Sequence, residues 1–395
     1  MKKRVLVIEH SLPFYHPPCW ALIGSHPEID LTVVHGTDFF TGPKGVPEGK
    51  YDRTMPFRVV TGTTAKNICG KTVLWHSAAL RLVKQEHFDV VIHQFEIKFL
   101  SLWTTRAIVK RKGGKFIMWG IGQSLKPTPM LDIIRRVAAM CADALLFYAE
   151  VNKEKYVHMG LDPQRMFVAH NSIDLQPINK ALTDWSGPRV EVFKQEHNLG
   201  SGPVLIHVGR LMARKRLDLL VGVTTLLKRE YPNIKVVLVG DGPEEEKLKE
   251  MVRASFLENH FRFPGAISGE EDLAPWFLSS DIVVAPAQIG HLATHAHAYG
   301  RPLVVSANRK VQGPEIGILI PEKTGVVYRH KDVADLVRVI RGLIEDPTKR
   351  NQMGIEARRR ASEYCGVPKM ANGFVEAISY VTGAHLQKFG VAGHN

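Results

Sequence analysis

The sequence predicts an α/β protein of two doubly wound parallel-sheet domains facing a cleft. Three observations carry that expectation. Between residues 204 and 346, short apolar β-branched runs alternate with segments of helical period, the pattern of strand–helix–strand crossovers. Residues 4–169 repeat the alternation less cleanly. At 395 residues the chain is also too long for one ordinary core.

The first strand is expected over residues 4–8. The turn behind it holds His10, Pro13, His16, Pro17 and Pro18 and leads into a helix near Cys19. His16 thus falls at the carboxyl edge of a strand, where ligands of open sheets bind, or it is an ordinary loop histidine. A second strand covers 31–34. Residues 38–72, with Gly42, Pro43, Gly45, Pro47 and Gly49, read as a long loop region with room for short strands. Then come a helix over 74–85, a strand over 88–93 that ends on His93, and a helix over 101–112. The strand over 115–119 closes on Gly120 and Gly122, which permit either close approach to a ligand or a tight turn. Residues 130–140 have helical period, with Arg135 and Arg136 interrupting an apolar surface. Such a helix lies on a membrane interface or faces a core with a solvated basic edge. A strand over 144–148, a helix over 152–159 and a strand over 165–169 complete the half, followed by His170-Asn171-Ser172-Ile173-Asp174.

Pro177, Gly187, Pro188 and Gly200 punctuate the next stretch, which lacks a long apolar period and reads as a connector. The expected division is therefore a first domain over 1–175, a connector over 176–200 and a second domain over 201–365. Residues 366–395 would add a terminal helix, near 369–381, that packs back on the first domain. In the second half, strands are expected at 204–208, 235–239, 260–263, 281–285, 302–305 and 316–320. Helices are expected at 217–229, 244–254, 271–279, 292–299 and 332–346, with a charged helix around Arg358-Arg359-Arg360.

Composition narrows the function classes. The 45% hydrophobic and 23% charged fractions are those of a soluble globular protein. The apolar run after Arg4 stops at Glu9, which argues against a targeting segment, and no run of about 18 apolar residues suggests a membrane span. Cys19, Cys69, Cys141 and Cys365 lie far apart without a zinc pattern, so a reducing, cytoplasmic setting is expected. The formal charge is +13, and residues 1–190 hold 25 Lys+Arg against 16 Asp+Glu. That excess suits an anionic membrane leaflet, a nucleic acid or an acidic substrate. No nucleic-acid-binding signature accompanies it, so no nucleic-acid partner is expected.

The chemistry is expected around residues 204–223. Gly209 ends a strand there, and Arg210 and Lys215 follow in the turn before a helix. A guanidinium fork and an ammonium at that edge suit a diphosphate, although basic loop residues can also simply be solvated. Val239-Gly240-Asp241-Gly242-Pro243 opens a Glu-rich helix and reads as a structural turn, since its acids would repel phosphate. A strand running into Gly290, His291 and Leu292 offers free helix amides to an anion. Gly313-Pro314-Glu315 presents a carboxylate able to hold ribose or sugar hydroxyls.

Gly209-Arg210-Leu211 with Lys215, the Val239–Pro243 turn, residues 298–302 (Ala-Tyr-Gly-Arg-Pro), Gly313-Pro314-Glu315, and Thr324-Gly325 with Asp332 have an order and spacing in common. In both they resemble family-4 retaining glycosyltransferases of the GT-B fold, with two Rossmann-like domains. His170–Asp174 is similar to that family's interdomain segment. The resemblance implies that Arg210 and Lys215 hold the diphosphate of a nucleotide-sugar donor. It also implies that residues 263–267, with Ile267, border the base, and that Gly209, Gly290, His291 and Leu292 meet phosphates and sugar. The family's loop carries two glutamates separated by seven residues; here those positions are Ala287 and His295. The chain thus resembles a branch lacking the acidic pair, with His295 or Glu315 left to take the ribose.

The expected activity is sugar transfer to an acceptor hydroxyl with retention, in cell-surface glycan or glycolipid synthesis, with no metal and no cofactor. The partners would be a nucleotide-sugar donor, a glycan or lipid-linked acceptor and an anionic membrane surface. The protein would be cytoplasmic or peripheral on the inner membrane face. His93 is the expected polar group near the transferred sugar, and His16, Gly120, Gly122 and Asn171 line the acceptor side or cleft. A nucleotide-sugar epimerase or hydrolase on the same fold, or a non-catalytic binding protein, are the alternatives.

Overall fold

The computed structural model describes residues 1–13, 15–36, 54–63, 65–68, 71–123 and 129–390. Gly42, Pro43, Gly45, Pro47, Gly49 and Cys69 fall outside them. The chain divides into two units, residues 1–173 with 366–395, and residues 174–365.

The first unit begins with β1 (Lys3–Glu9), α1 (Pro17–Gly24), β2 (Ile29–Gly36), β3 (Arg58–Gly62), β4 (Ala65–Ile68), β5 (Lys71–Leu74) and α2 (Ser77–Gln85). It continues with β6 (Val90–Gln94), α3 (Ser101–Arg111), β7 (Lys115–Gly120), α4 (Pro129–Cys141), β8 (Ala144–Phe147), α5 (Glu150–His158) and β9 (Met166–Val168). Seven of these strands make a parallel sheet in the order β3-β2-β1-β6-β7-β8-β9, while β4 and β5 pair as a separate antiparallel ribbon. The strands read as continuous apolar runs because helices cover both faces. Val5, Val7, Ile92 and Trp119 pack under α1 and the terminal helix over Val367–Thr382, whose Met370, Phe374 and Ile378 repeat at helical spacing. Leu6, Ile8, Val91 and Met118 face α2, α3 and α4 instead. Because β1 lies between β2 and β6, the winding reverses there. The crevice of a doubly wound sheet therefore falls at the carboxyl ends of β1 and β6.

The second unit opens with α6 (Leu175–Asp184), α7 (Gly187–Glu196), β10 (Val204–Val208), α8 (Asp218–Leu227), β11 (Lys235–Val239), α9 (Glu245–Ala254) and β12 (Phe261–Gly265). It closes with α10 (Glu270–Leu278), β13 (Ile282–Ala285), α11 (Leu292–Ala298), β14 (Leu303–Ser306), β15 (Gly325–Tyr328), α12 (Val333–Glu345) and α13 (Pro347–Tyr364). Its parallel sheet runs β12-β11-β10-β13-β14-β15, so the winding reverses at β10. The terminal helix of the chain, α14 (Val367–Thr382), belongs to the first unit.

Two sequence expectations need correction here. Residues 176–200 are not an open connector but two helices of the second unit. Asp174 caps α6 by accepting from the Gln176 amide, and Phe193 of α7 meets Trp276 of α10 edge-on with centroids 4.9 Å apart. Residues 316–320 are not a strand. Pro314 starts a 3-10 turn over Pro314–Ile318, and the sixth strand is β15, beside β14. A short apolar run fits either structure on its own, and the proline decides it. No described helix is long and apolar enough to cross a membrane.

Candidate functional site

Parallel pairing in the second unit brings the turns after β10, β11, β12, β13 and β14 to one edge. The turns after β10 and β11 are strapped together: the Gly209 amide donates to Val239 O at 2.9 Å and the Leu211 amide to Asp241 O at 2.7 Å. A Cβ at Gly240 would strike the Gly209 carbonyl, and φ there is 130°, so glycine is required on both counts. The Val239–Pro243 turn therefore holds the neighbouring turn in shape, the structural role read from its sequence.

What it holds is a pair of cations. Nε and Nη1 of Arg210 are buried with no hydrogen-bond partner among the described residues. Buried guanidinium N–H groups that lack acceptors are costly unless a ligand supplies them. Lys215 ends a 3-10 turn over Ala213–Lys215, and Arg216 behind it takes a left-handed φ of 53°. Burial, and then the charge of Arg214, push the Lys215 ammonium down to about 8, while Glu315 pulls the other way. A Cβ built on Gly209 would lie 3.9 Å from Lys215 Nζ and 4.0 Å from Nε2 of His207. His207 was not singled out by sequence, because mid-strand it reads as a core position. It is fully buried and its Nδ1–H donates to Val284 O at 2.8 Å. Nε2 is left without a hydrogen-bond partner among the described residues, beside Lys215.

The turns after β13 and β14 are joined as well. Gln312 accepts from the Ile289 amide at 2.9 Å and donates to Ser306 O at 3.1 Å. A Cβ at Gly313 would meet Glu315 Oε2 at 2.5 Å and Ile289 O at 3.2 Å, so the carboxylate lies against this loop. Gly290, His291 and Leu292 follow directly, at the start of the seven-residue α11. Ile267 is half-buried just past β12, on the same edge.

His295 departs from expectation. It was expected to offer a nitrogen to a ribose, but both nitrogens are engaged: Nε2 with Glu270 Oε1 at 2.9 Å and Nδ1 with His291 O at 3.0 Å. The Tyr299 hydroxyl donates to the other Glu270 oxygen at 2.6 Å. Burial acts against the His295 cation, yet the Glu270 carboxylate outweighs it and holds this imidazole above its ordinary value. Thus the helix that lacks the usual glutamate borrows a carboxylate from α10, 25 residues upstream in sequence. No sequence spacing announces that contact.

The first unit gathers its own polar groups at the switch between β1 and β6, divided by strand alternation. On one face Glu9, fully buried, accepts from His16 Nδ1–H at 2.8 Å and from Trp20 Nε1–H at 3.1 Å. On the other, His10 stacks on Phe99 with centroids 3.5 Å apart and meets His93 at 5.7 Å. His10 and His16, neighbours in the turn, thus lie on opposite sides of the sheet. His93 is buried with Nδ1–H donating to Gln94 O at 2.8 Å, and burial drops its pKa to about 4, so it is a neutral imidazole. Gly120 sits at φ 153° beside Phe95, and Gly122 accepts from the Tyr156 hydroxyl at 2.5 Å. Asn171 follows β9 and is half-buried.

Two units of this construction define the GT-B class of α/β protein. Residues 189–360 match the family described as glycosyl transferases group 1. Sulfoquinovosyl transferase of Arabidopsis thaliana is 28% identical over 247 residues, 60% of this chain and 44% of that protein. A GDP-mannose-dependent phosphatidylinositol monomannoside mannosyltransferase of Mycolicibacterium smegmatis is 29% identical over 178 residues, 42% of this chain and 45% of that one. The matches thus span about half the length of these curated relatives. Among solved structures, HepE of Anabaena in complex with UDP superposes with a TM-score of 0.72 at 16% identity, covering 96% of this chain and 100% of that one. A glycosyltransferase of Rickettsia africae gives 0.74 at 13%, covering 96% and 99%. The resemblance drawn from the motifs is borne out, and the fold with it.

Proposed function

We propose that the protein transfers a sugar from a nucleotide-diphosphate donor to an acceptor hydroxyl, with retention at the anomeric carbon. The observation that carries this reading is the half-buried Arg210 side chain, whose Nε and Nη1 are buried without a hydrogen-bond partner among the described residues, in the same turn as Lys215 at the carboxyl edge of β10. As the acceptor hydroxyl oxygen bonds to the anomeric carbon and the bond to the β-phosphate oxygen breaks, negative charge grows on the departing diphosphate, which takes up the acceptor's proton. Two fixed cations in a partly dry site stabilise that charge without reorganising. In this reading Glu315 holds hydroxyls of the ribose or sugar, and His93 gives a neutral hydrogen-bonding nitrogen on the acceptor side, with His16 and Asn171.

HepE is solved with UDP and with UDP-glucose, and one relative's name specifies GDP-mannose, so both bases belong in the assay. The other part of that relative's name, a phosphatidylinositol monomannoside, suits an acceptor in glycolipid or cell-surface glycan synthesis. The test is incubation with UDP-, GDP-, ADP- and TDP-sugars and candidate acceptors, with chelator present and product configuration read by NMR. Sugar moved to an acceptor with its configuration kept supports the reading. Free sugar or an epimerised donor as the sole product refutes it, as does binding without turnover.

A further inference from the structure

The helix α4 turns an apolar stripe toward solvent. Met130, Ile133, Val137 and Met140, spaced as one helical face, are 74%, 64%, 48% and 58% exposed. Its opposite face is also apolar, with Ala138 and Ala139 buried and Leu131 and Ile134 packed on the sheet core. The arginine pair does not form the solvated edge that a core-facing helix would show. Arg135 is buried on Asp132 at 3.0 Å, and Arg136 stands in the exposed stripe. A helix apolar on both sides needs a second apolar neighbour.

Charge identifies that neighbour. From residue 97 to residue 143 the chain carries nine Lys or Arg and two acids; Asp143 pairs with Lys110 of α3 at 2.9 Å, and the other acid is Asp132. That acid is spent on Arg135 and on Lys155 of α5, 3.8 Å away, leaving the stripe with Arg136 and no carboxylate. Helix α3 lies alongside, since Arg106 donates to Cys141 O at 2.7 Å, and it brings the exposed Arg111. At 13 residues α4 is too short to span a bilayer but long enough to lie along its surface.

We propose that α4 is a membrane-docking helix. Its Met130-Ile133-Val137-Met140 face enters the headgroup boundary of an anionic leaflet, and Arg136 with the exposed Arg111 of α3 contacts lipid phosphates. A second copy of the chain is a poorer occupant, because its α4 would bring the same uncompensated positive charge. The surface is distinct from the donor site, so its test does not depend on turnover.

The test is flotation of the full chain with vesicles of phosphatidylcholine alone or mixed with phosphatidylglycerol, at low and high salt. Two variants are compared, Ile133→Ser with Val137→Ser, and Arg136→Glu, with UDP binding and Tm measured on each. Wild type is expected to prefer the anionic vesicles by about tenfold or more, and each variant to lose most of that preference. UDP affinity and Tm should stay unchanged. Equal binding of wild type to both vesicle types would overturn the proposal, as would variants that float like wild type. So would wild-type dimers that the serine variant dissociates, with no vesicle binding.

Discussion

Glu270 Oε1 stands 2.9 Å from Nε2 of His295, joining the first turn of α10 to the middle of α11. The pair is nearly buried, and Tyr299 completes it by donating to the second carboxylate oxygen. Burial disfavours both charges, but each holds the other ionised: His295 is raised and Glu270 is lowered from their ordinary values. The helix that would carry the family's second glutamate is thus fixed by an ion pair.

That pair has a definite pH window. A raised histidine contributes its stability fully below its unfolded pKa and loses it as pH climbs through the higher folded value. A lowered carboxylate contributes above its unfolded pKa and loses it in acid. The pair therefore stabilises most between about pH 4.5 and 6.5. Glu270→Gln should cost about 3 kcal/mol near pH 6, the scale for stranding one partner of a buried pair, and clearly less near pH 9. Thermal melts of both proteins at the two pH values check this; an equal Tm loss at each would show that the pairing is not ionic.

Arg210→Ala and Lys215→Ala should each remove about 3 kcal/mol of transition-state stabilisation, which appears in kcat/KM for the donor. The fold should survive, because both half-buried side chains belong to the turn behind β10 and not to a strand or long helix. Near-normal kcat/KM in both variants would remove the diphosphate role.

Lys215 adds a pH signature. With its pKa pushed to about 8, the ammonium is present below that value and is lost as pH rises through it. Affinity for UDP should therefore fall from pH 7 to pH 9. An arginine keeps its charge throughout, so Lys215→Arg should flatten that alkaline limb even where its different shape weakens binding overall. Titration calorimetry across the range decides, and an unchanged alkaline limb in the variant would assign the titration elsewhere.

Much of this was legible in the sequence. Strand and helix alternation in the second unit gave five of its six strands, since β-branched runs between helical periods have few other readings. Arg210 and Lys215 stand out in the sequence from their place behind a strand, and Glu315 from a tight loop ahead of an expected strand. The misses have physical causes. Residues 316–320 are apolar enough for a strand, but Pro314 bends them into a turn. The division of His10 from His16 depends on which side of the sheet each side chain takes, with the long-range partners Phe99 for His10 and Trp119 for His16. Glu270 and Glu9 were invisible because their importance lies in contacts with His295 and His16, and only in the first case does the partner come from another strand–helix repeat.

The buried histidines of the second unit should make it acid-labile in a measurable way. His207 gives Nδ1–H to Val284 O, and His297 gives Nδ1–H to Ala293 O while its Nε2 lies 3.0 Å from the Thr324 hydroxyl. Each carbonyl fixes the neutral tautomer, because only a protonated Nδ1 can donate to it. Burial first, with the Lys215 charge second for His207, lowers the two pKa values to about 3 and about 4. In the unfolded chain both titrate near their ordinary value of about 6.5. The unfolded state therefore binds more protons below that pH, and stability falls as pH drops toward 4. Two such groups give a limiting slope of about 3 kcal/mol per pH unit. His207→Phe, which keeps an apolar ring in place of the imidazole, should halve that slope, apart from any packing cost that is constant with pH. Urea unfolding of the second unit's transition between about pH 7 and pH 4.5 supplies the measurement. A variant slope equal to the wild-type slope would mean that His207 does not take up a proton on unfolding, and the neutral buried state assigned to it here would be wrong.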